Sequence, residues 1–173
     1  GRVQRDFSQR MLVIRSSAAE EDGASYSRAG EYDSVLNVAS DNKEGIRNAI
    51  ETVINSYGGK YSNSTDNEII VQEMIQQAAM SGVIFTHDLN TGAPYYVINY
   101  DDVSGLTNTV TSGEGEYANR TLYIHRGATQ KIRSRRFQSL LSAVMELEAV
   151  TNSQFLDIEF ALDTEFKPYL FQA

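Results

Sequence analysis

The sequence contains no cysteine, no excess of positive charge and no long apolar run, and each absence removes a class of protein. Without cysteine there are no disulfides and no thiolate metal sites, which fits a reducing, cytoplasmic setting. No stretch approaches the roughly 18 apolar residues of a membrane span, and the N-terminus has no signal-peptide apolar region. The formal net charge of −8 argues against general nucleic-acid binding, because affinity for a phosphate backbone needs a basic surface. Arg126, Lys131, Arg133, Arg135 and Arg136 form a local exception. They are either a docking patch for an acidic partner or the solvated start of a helix. With 173 residues, 41% of them hydrophobic and 22% charged, the chain is long enough to bury a core and fits one ordinary domain.

Two helices are expected. Across residues 41–57, Ile46, Ala49, Ile50, Val53, Ile54 and Tyr57 fall on one face, with Asp41 and Glu44 as a capping box. Gly58-Gly59 ends this helix, and the polar tract from Lys60 to Asn67 is a loop. From Ser134 to Val150, the residues Phe137, Leu140, Leu141, Val144 and Leu147 form a second apolar stripe. Short strands are expected at Met11–Ile14, Glu68–Met74, Gly82–Thr86, Tyr95–Tyr100, Asn108–Thr111 and Thr121–His125. A final hairpin pairs Phe155–Leu162 with Lys167–Phe171. Their close spacing predicts an α+β layout, mainly an antiparallel sheet covered on one face by the two helices.

Two stretches carry chemistry. Arg15 follows the first strand, and Ser16, Ser17, Gly23, Ser25, Ser27 and Gly30 make the next segment rich in hydroxyls and glycine. That composition suits an anion site, in which a guanidinium, backbone N–H groups and hydroxyls surround a phosphate; it also suits an ordinary surface loop. In the terminal hairpin, a turn centred between Glu165 and Phe166 sets Glu159 across from Gln172, with Asp157 on the same face. Oxygen donors from one or two side chains, completed by phosphates and water, are how proteins usually hold Mg²⁺; a polar face turned to solvent looks the same in sequence. His87 and His125 read as ordinary surface or strand histidines.

Several segments in order resemble one family. They are Arg15-Ser16-Ser17-Ala18 with Glu21-Asp22, Ser27-x-Ala29-Gly30, Leu36-Asn37-Val38, Val71-Gln72-Glu73-Met74, Ser81-Gly82-Val83-Ile84-Phe85-Thr86, and Asp157-Ile158-Glu159-Phe160 with Gln172. Together they resemble the nucleotide-binding domain of the phosphoenolpyruvate synthase and pyruvate phosphate dikinase family, an ATP-grasp fold. The resemblance implies ATP and Mg²⁺ as ligands. It implies that Arg15 contacts phosphate, that the segment holding Ser27, Ala29 and Gly30 is a flap over the phosphates, and that Gln72, Glu73 and Met74 are a hinge meeting the adenine edge. Glu159 and Gln172 become metal and phosphate ligands by the same resemblance, and Asp157 a ribose contact or a support for them.

The implied enzyme is a phosphotransferase that splits ATP to AMP and phosphate through a phosphohistidine relay to a small-molecule acceptor. Departures from the pattern point to an incomplete domain. A phosphate-gripping lysine subdomain is missing before Met11, the arginine that follows the terminal glutamine lies beyond Ala173, and no Gly-Gly-x-Thr-x-His carrier motif is present. The expected partners are therefore an N-terminal ATP-grasp subdomain and a phosphohistidine carrier domain of a larger parent, with no nucleic acid and no membrane. Tyr95–Asp101 and Thr109–Gly113 resemble, more weakly, kinases of surface-polysaccharide synthesis. A catalytically silent binding module and an ATP-grasp ligase are the alternatives.

Overall fold

A computed structural model describes residues 2–17, 22–23, 26–27, 33–57, 67–107, 110 and 120–173. The chain divides into two compact units, Gly1–Met74 and Ile75–Ala173. Each is an antiparallel sheet packed against one principal helix, so the mainly antiparallel α+β layout expected from the sequence is what the chain adopts, with the strands shared between two larger sheets.

The first unit opens with a short helix, α1 (Arg2–Asp6), followed by strand β1 (Met11–Ser17). Two-residue strands β2 (Asp22–Gly23) and β3 (Tyr26–Ser27) pair with each other. Then come β4 (Ser34–Ala39), helix α2 (Lys43–Ser56) and β5 (Glu68–Glu73). The sheet order is β4-β1-β5, with β1 at the centre. Strict alternation along β1 buries Leu12, Ile14 and Ser16, and Leu12 and Ile14 meet Ile46, Ala49, Val53 and Tyr57 of the helix. Ile54 is left 44% exposed, so the apolar stripe of α2 is narrower than the periodicity suggested. The helix is capped one residue later than expected. Asn42, in extended backbone, accepts the Gly45 N–H on its side chain at 2.9 Å, which is the ordinary N-cap bond, and Asp41 lies one step outside it. Between Leu12 and Ile14 the pairing with β4 shifts by one residue. Asn37, at a φ of 59°, sits in that bulge; asparagine tolerates left-handed backbone better than most residues.

The second unit contains β6 (Met80–Phe85), β7 (Tyr95–Asp101), β8 (Arg120–His125), a 3-10 turn (Arg126–Lys131), helix α3 (Arg135–Thr151), β9 (Asp157–Leu162) and β10 (Pro168–Gln172). Its sheet order is β10-β9-β6-β7-β8. One face packs on α3: Met80, Ile84, Tyr96, Ile98, Ile124, Ile158, Phe160 and Leu162 meet Phe137, Leu140, Leu141 and Val144. Gly82 lies on this face between two strands. A Cβ there would come 2.0 Å from the Asn99 carbonyl oxygen, so only glycine permits the approach of β6 to β7. Of the expected strand at Asn108–Thr111 only Val110 is described, and it lies in a turn; the Gly58-Gly59 helix stop falls outside the described residues.

Candidate functional site

Arg15 is half-buried on β1, the central strand of the first sheet. Its cross-strand partners are Ser34 and Ile70. Alternation puts Arg15 with Val13 and Ser17 on the face turned away from α2, and Gln72, opposite Val13, joins them there. Ser16 belongs to the other face, buried toward the helix, so it does not supply a hydroxyl beside Arg15 as its place in the sequence suggested. Glu73 also lies on the helix side, opposite Leu12, and its carboxylate accepts a 2.6 Å bond from Arg10. The Met74 N–H donates to the Met11 carbonyl at 2.8 Å, so Met74 continues the pairing of β5 with β1 in which Gln72 and Glu73 also lie. The unit boundary falls directly after Met74. Ser27 is described only as part of β3, and Ala29 and Gly30 lie outside the described residues.

In the second unit, Ile158, Phe160 and Leu162 point to the core, which leaves Asp157, Glu159 and Ala161 on the face away from α3. Through Pro168–Leu162, Tyr169–Ala161 and Leu170–Phe160 the hairpin keeps a register that would set Gln172 opposite Ile158, on the core side. An irregularity between Leu170 and Gln172 inserts one extra residue, Phe171, and pairs Gln172 with Glu159 instead. The pairing expected from the sequence is therefore present, but for a different reason. The turn is centred on Glu165, half a residue earlier than supposed, and the bulge restores the match. Asp163 holds that turn. Its carboxylate accepts the Glu165 and Lys167 N–H groups, each at 2.9 Å, and the bond from Lys167 does most to keep its pKa below the usual value. Phe166 takes a φ of 65°. Asp157 lies opposite Phe85, and burial raises its pKa.

Glu159 and Gln172 present a carboxylate and an amide carbonyl, both hard oxygen donors of the kind Mg²⁺ accepts beside water and phosphate. Among the described residues no group of three or more His, Asp or Glu side chains is placed to hold a metal.

A second polar cluster escaped the sequence reading. Glu148, in the last turns of α3, is buried, accepts a 2.8 Å bond from the Tyr96 hydroxyl and receives two from the Arg126 guanidinium at 2.7 and 3.2 Å. Arg126 also stacks 4.6 Å from the centre of the Tyr96 ring and donates to the Thr86 carbonyl. Burial first, and Glu148 second, push the Tyr96 hydroxyl up to about 12. Burial opposes the Arg126 charge, yet Glu148 and Tyr96 together outweigh it and its pKa rises. These residues border a depression of about 670 Å³ with Met145, Asn152, Gln154 and Phe155. Fully paired as they are, they tie β7, the 3-10 turn and α3 together.

The basic cluster divides in the structure. Arg126 is committed to Glu148, and Arg136 to Asp102 at 2.7 Å and to the Phe137 ring at 5.0 Å, while Lys131, Arg133 and Arg135 are exposed. Both histidines are tied locally: His87 Nδ1 lies 2.7 Å from the Gln154 carbonyl, and His125 Nδ1 accepts the Gly127 N–H at 3.1 Å. No helix among the described residues is long and apolar enough to cross a membrane.

Comparison with known proteins agrees with the ordered segments. A family model described as the AMP/ATP-binding domain of pyruvate phosphate dikinase matches residues 2–135. The prodigiosin synthesizing transferase PigC of Serratia marcescens is 33% identical over 109 residues, which is 60% of this chain and 12% of that protein. The chain thus corresponds to a small part of this relative's length. With the match spanning both the Arg15 strand and the Gly82 strand, the chain belongs to the pyruvate phosphate dikinase AMP/ATP-binding domain family.

Proposed function

We propose that this chain is the ATP-holding part of a phosphotransferase that converts ATP to AMP and phosphate and hands a phosphoryl group to a histidine on a carrier domain of the parent protein, for delivery to a small-molecule acceptor. The observation that supports this most is the bulge at Phe171, which turns Gln172 out of the core face and sets it beside Glu159. A hairpin built only for packing would gain by keeping its register; here the register breaks where it creates a pair of oxygen donors. Glu159 and Gln172 would hold Mg²⁺, which, when bound, neutralises phosphate charge. Asp157 would support them or meet the ribose. Arg15, half-buried and always charged, would bind phosphate oxygens through its fork of N–H donors. Ser27, Ala29 and Gly30 would cover the phosphates, and the backbone of Gln72, Glu73 and Met74 would meet the adenine edge.

Phosphoryl transfer depends on positioning and charge neutralisation, so these residues need supply no covalent chemistry of their own. In the full-length parent, Glu159→Ala and Arg15→Ala are each expected to lower turnover by about a hundredfold or more while the protein folds normally, the scale of removing one charge-stabilising group. Near-native turnover in both variants would sink the proposal. Product analysis separates the relay, which releases AMP and phosphate, from an acyl-phosphate-forming ligase, which releases ADP. A parent that binds no nucleotide in calorimetry would instead be a silent module.

A further inference from the structure

The cross-strand register carries the Glu159–Gln172 pair further across the sheet. Gln172 lies opposite Glu159, Glu159 opposite Val83, Val83 opposite Asn99, and Asn99 opposite Thr121. These five residues form one row over β10, β9, β6, β7 and β8, on the face turned away from α3. Asn99 and Thr121 are polar residues in strand interiors, and asparagine is depleted in strands because its side chain packs poorly there. Neither contributes to the apolar core under α3.

Thr121 fixes the orientation of Asn99. Its hydroxyl donates to Asn99 Oδ1 at 2.7 Å, which occupies the amide oxygen and leaves the NH₂ end turned away from Thr121. Asn99 is half-buried and Thr121 exposed, so their bond lies at the surface of the sheet, where an approaching ligand can reach the amide. Two strand spacings, about 10 Å, separate the Asn99 backbone from that of Glu159. Both side chains belong to the same face with Val83 between them in the row, a separation that a cation on the carboxylate and a phosphoryl group beyond it would span.

We infer that Asn99 is a binding residue for the terminal phosphate oxygens of the nucleotide, and that Thr121 is the positioning residue that aims its NH₂ group. This rests on the reading of Glu159 and Gln172 as the metal and phosphate end of the site. It assigns the β7–β8 side of the row to the phosphate farthest from the nucleoside, so the effect of Asn99 must depend on how many phosphates the ligand carries.

The test is calorimetry on the full-length protein with Mg-ATP and with AMP as separate probes. Asn99→Asp keeps the shape and replaces the donor by a carboxylate; Asn99→Ala removes both. Each is expected to weaken Mg-ATP binding about tenfold or more and to change AMP binding by less than about twofold, the scale of one charge-assisted hydrogen bond. Thr121→Val should shift Mg-ATP affinity in the same direction by a smaller factor. Equal weakening of ATP and AMP, or no weakening of either in a variant with an unchanged melting temperature, overturns the inference. If Asn99→Asp does not fold, the Asn99→Ala comparison decides alone. Should the unsubstituted protein bind neither probe, the nucleotide-site reading itself fails and this inference falls with it; binding by the unsubstituted protein with indifferent Asn99 variants refutes the inference alone.

Discussion

The two units use the same plan, an antiparallel sheet with one helix on one face, but they secure the helix by different means. In residues 1–74, α2 is held by apolar burial, by the Asn42 cap on the Gly45 N–H, and by uncharged hydrogen bonds at its end, where the Ser56 hydroxyl accepts the Asp33 N–H and the Tyr57 hydroxyl accepts the Ser17 N–H and donates to the Glu68 carbonyl. In residues 75–173, α3 is pinned by a buried charge, Glu148, which reaches Tyr96 and Arg126, 52 and 22 residues away in sequence. A three-stranded sheet offers its helix a small platform. The five-stranded sheet also brings a close strand contact at Gly82 and a buried charge. The lesson is that a cap can be lost at small cost, whereas a buried charge or a forced backbone approach cannot.

The comparison is tested most severely at Gly82. Gly82→Ala puts a methyl group 2.0 Å from backbone, where no side chain can yield, and is expected to destabilise the second unit by about 3 kcal/mol or more, or to prevent folding. Hydrogen exchange should show protection lost first across β6 and β7. Glu148→Ala comes next. It leaves the Arg126 guanidinium and the Tyr96 hydroxyl in a half-closed site without their shared acceptor, and should lower stability by about 3 kcal/mol in denaturant titration. An unchanged denaturation midpoint would show that the network contributes no more than a surface pair.

A smaller effect is expected in alkali. The folded-state pKa of Tyr96 is raised to about 12 from 10.0, so the contribution of its proton is complete below pH 10 and is lost as pH climbs through about 12. Tyr96→Phe should be slightly less stable at neutral pH, by about 1 kcal/mol, and should show a shallower alkaline decline. A decline as steep as before would assign the alkaline loss to other groups. The smallest change belongs to the first unit: Asn42→Ala should reduce stability by about 1 kcal/mol, the usual loss for an N-cap, read as a modest drop in melting temperature. If it rivalled Glu148→Ala, the contrast between a neutral cap and a buried charge would be wrong.

Much of this protein was legible along the chain. Phe137, Leu140, Leu141 and Val144 recur at helical spacing, and the structure buries all four. Met11 to Ile14 reads as a short apolar strand, and the structure places it in β1, where Leu12 and Ile14 are the buried ones. Periodicity is a local property, so it survives without knowledge of the fold. The ordered family segments were equally local. Glu148 shows the limit. Its position on the buried side of α3 looks like an error in the apolar stripe until Tyr96 and Arg126 are seen to close on it. Two details of the first unit were also out of reach: whether Asn42 or Asp41 would cap α2, and on which side of the sheet Ser16 would lie.

By itself, then, the sequence determined the element types, the family and the stock of polar residues from which a nucleotide site can be made. Tertiary structure alone decided which of those residues share a face. Side chains alternate with a period of two along a strand, so a single inserted residue reverses the assignment of everything after it. At Phe171 one such insertion moves Gln172 from the Ile158 side to the Glu159 side. That choice depends on pairing across the hairpin and on packing beneath it, neither of which is written in the order of residues from Pro168 to Gln172.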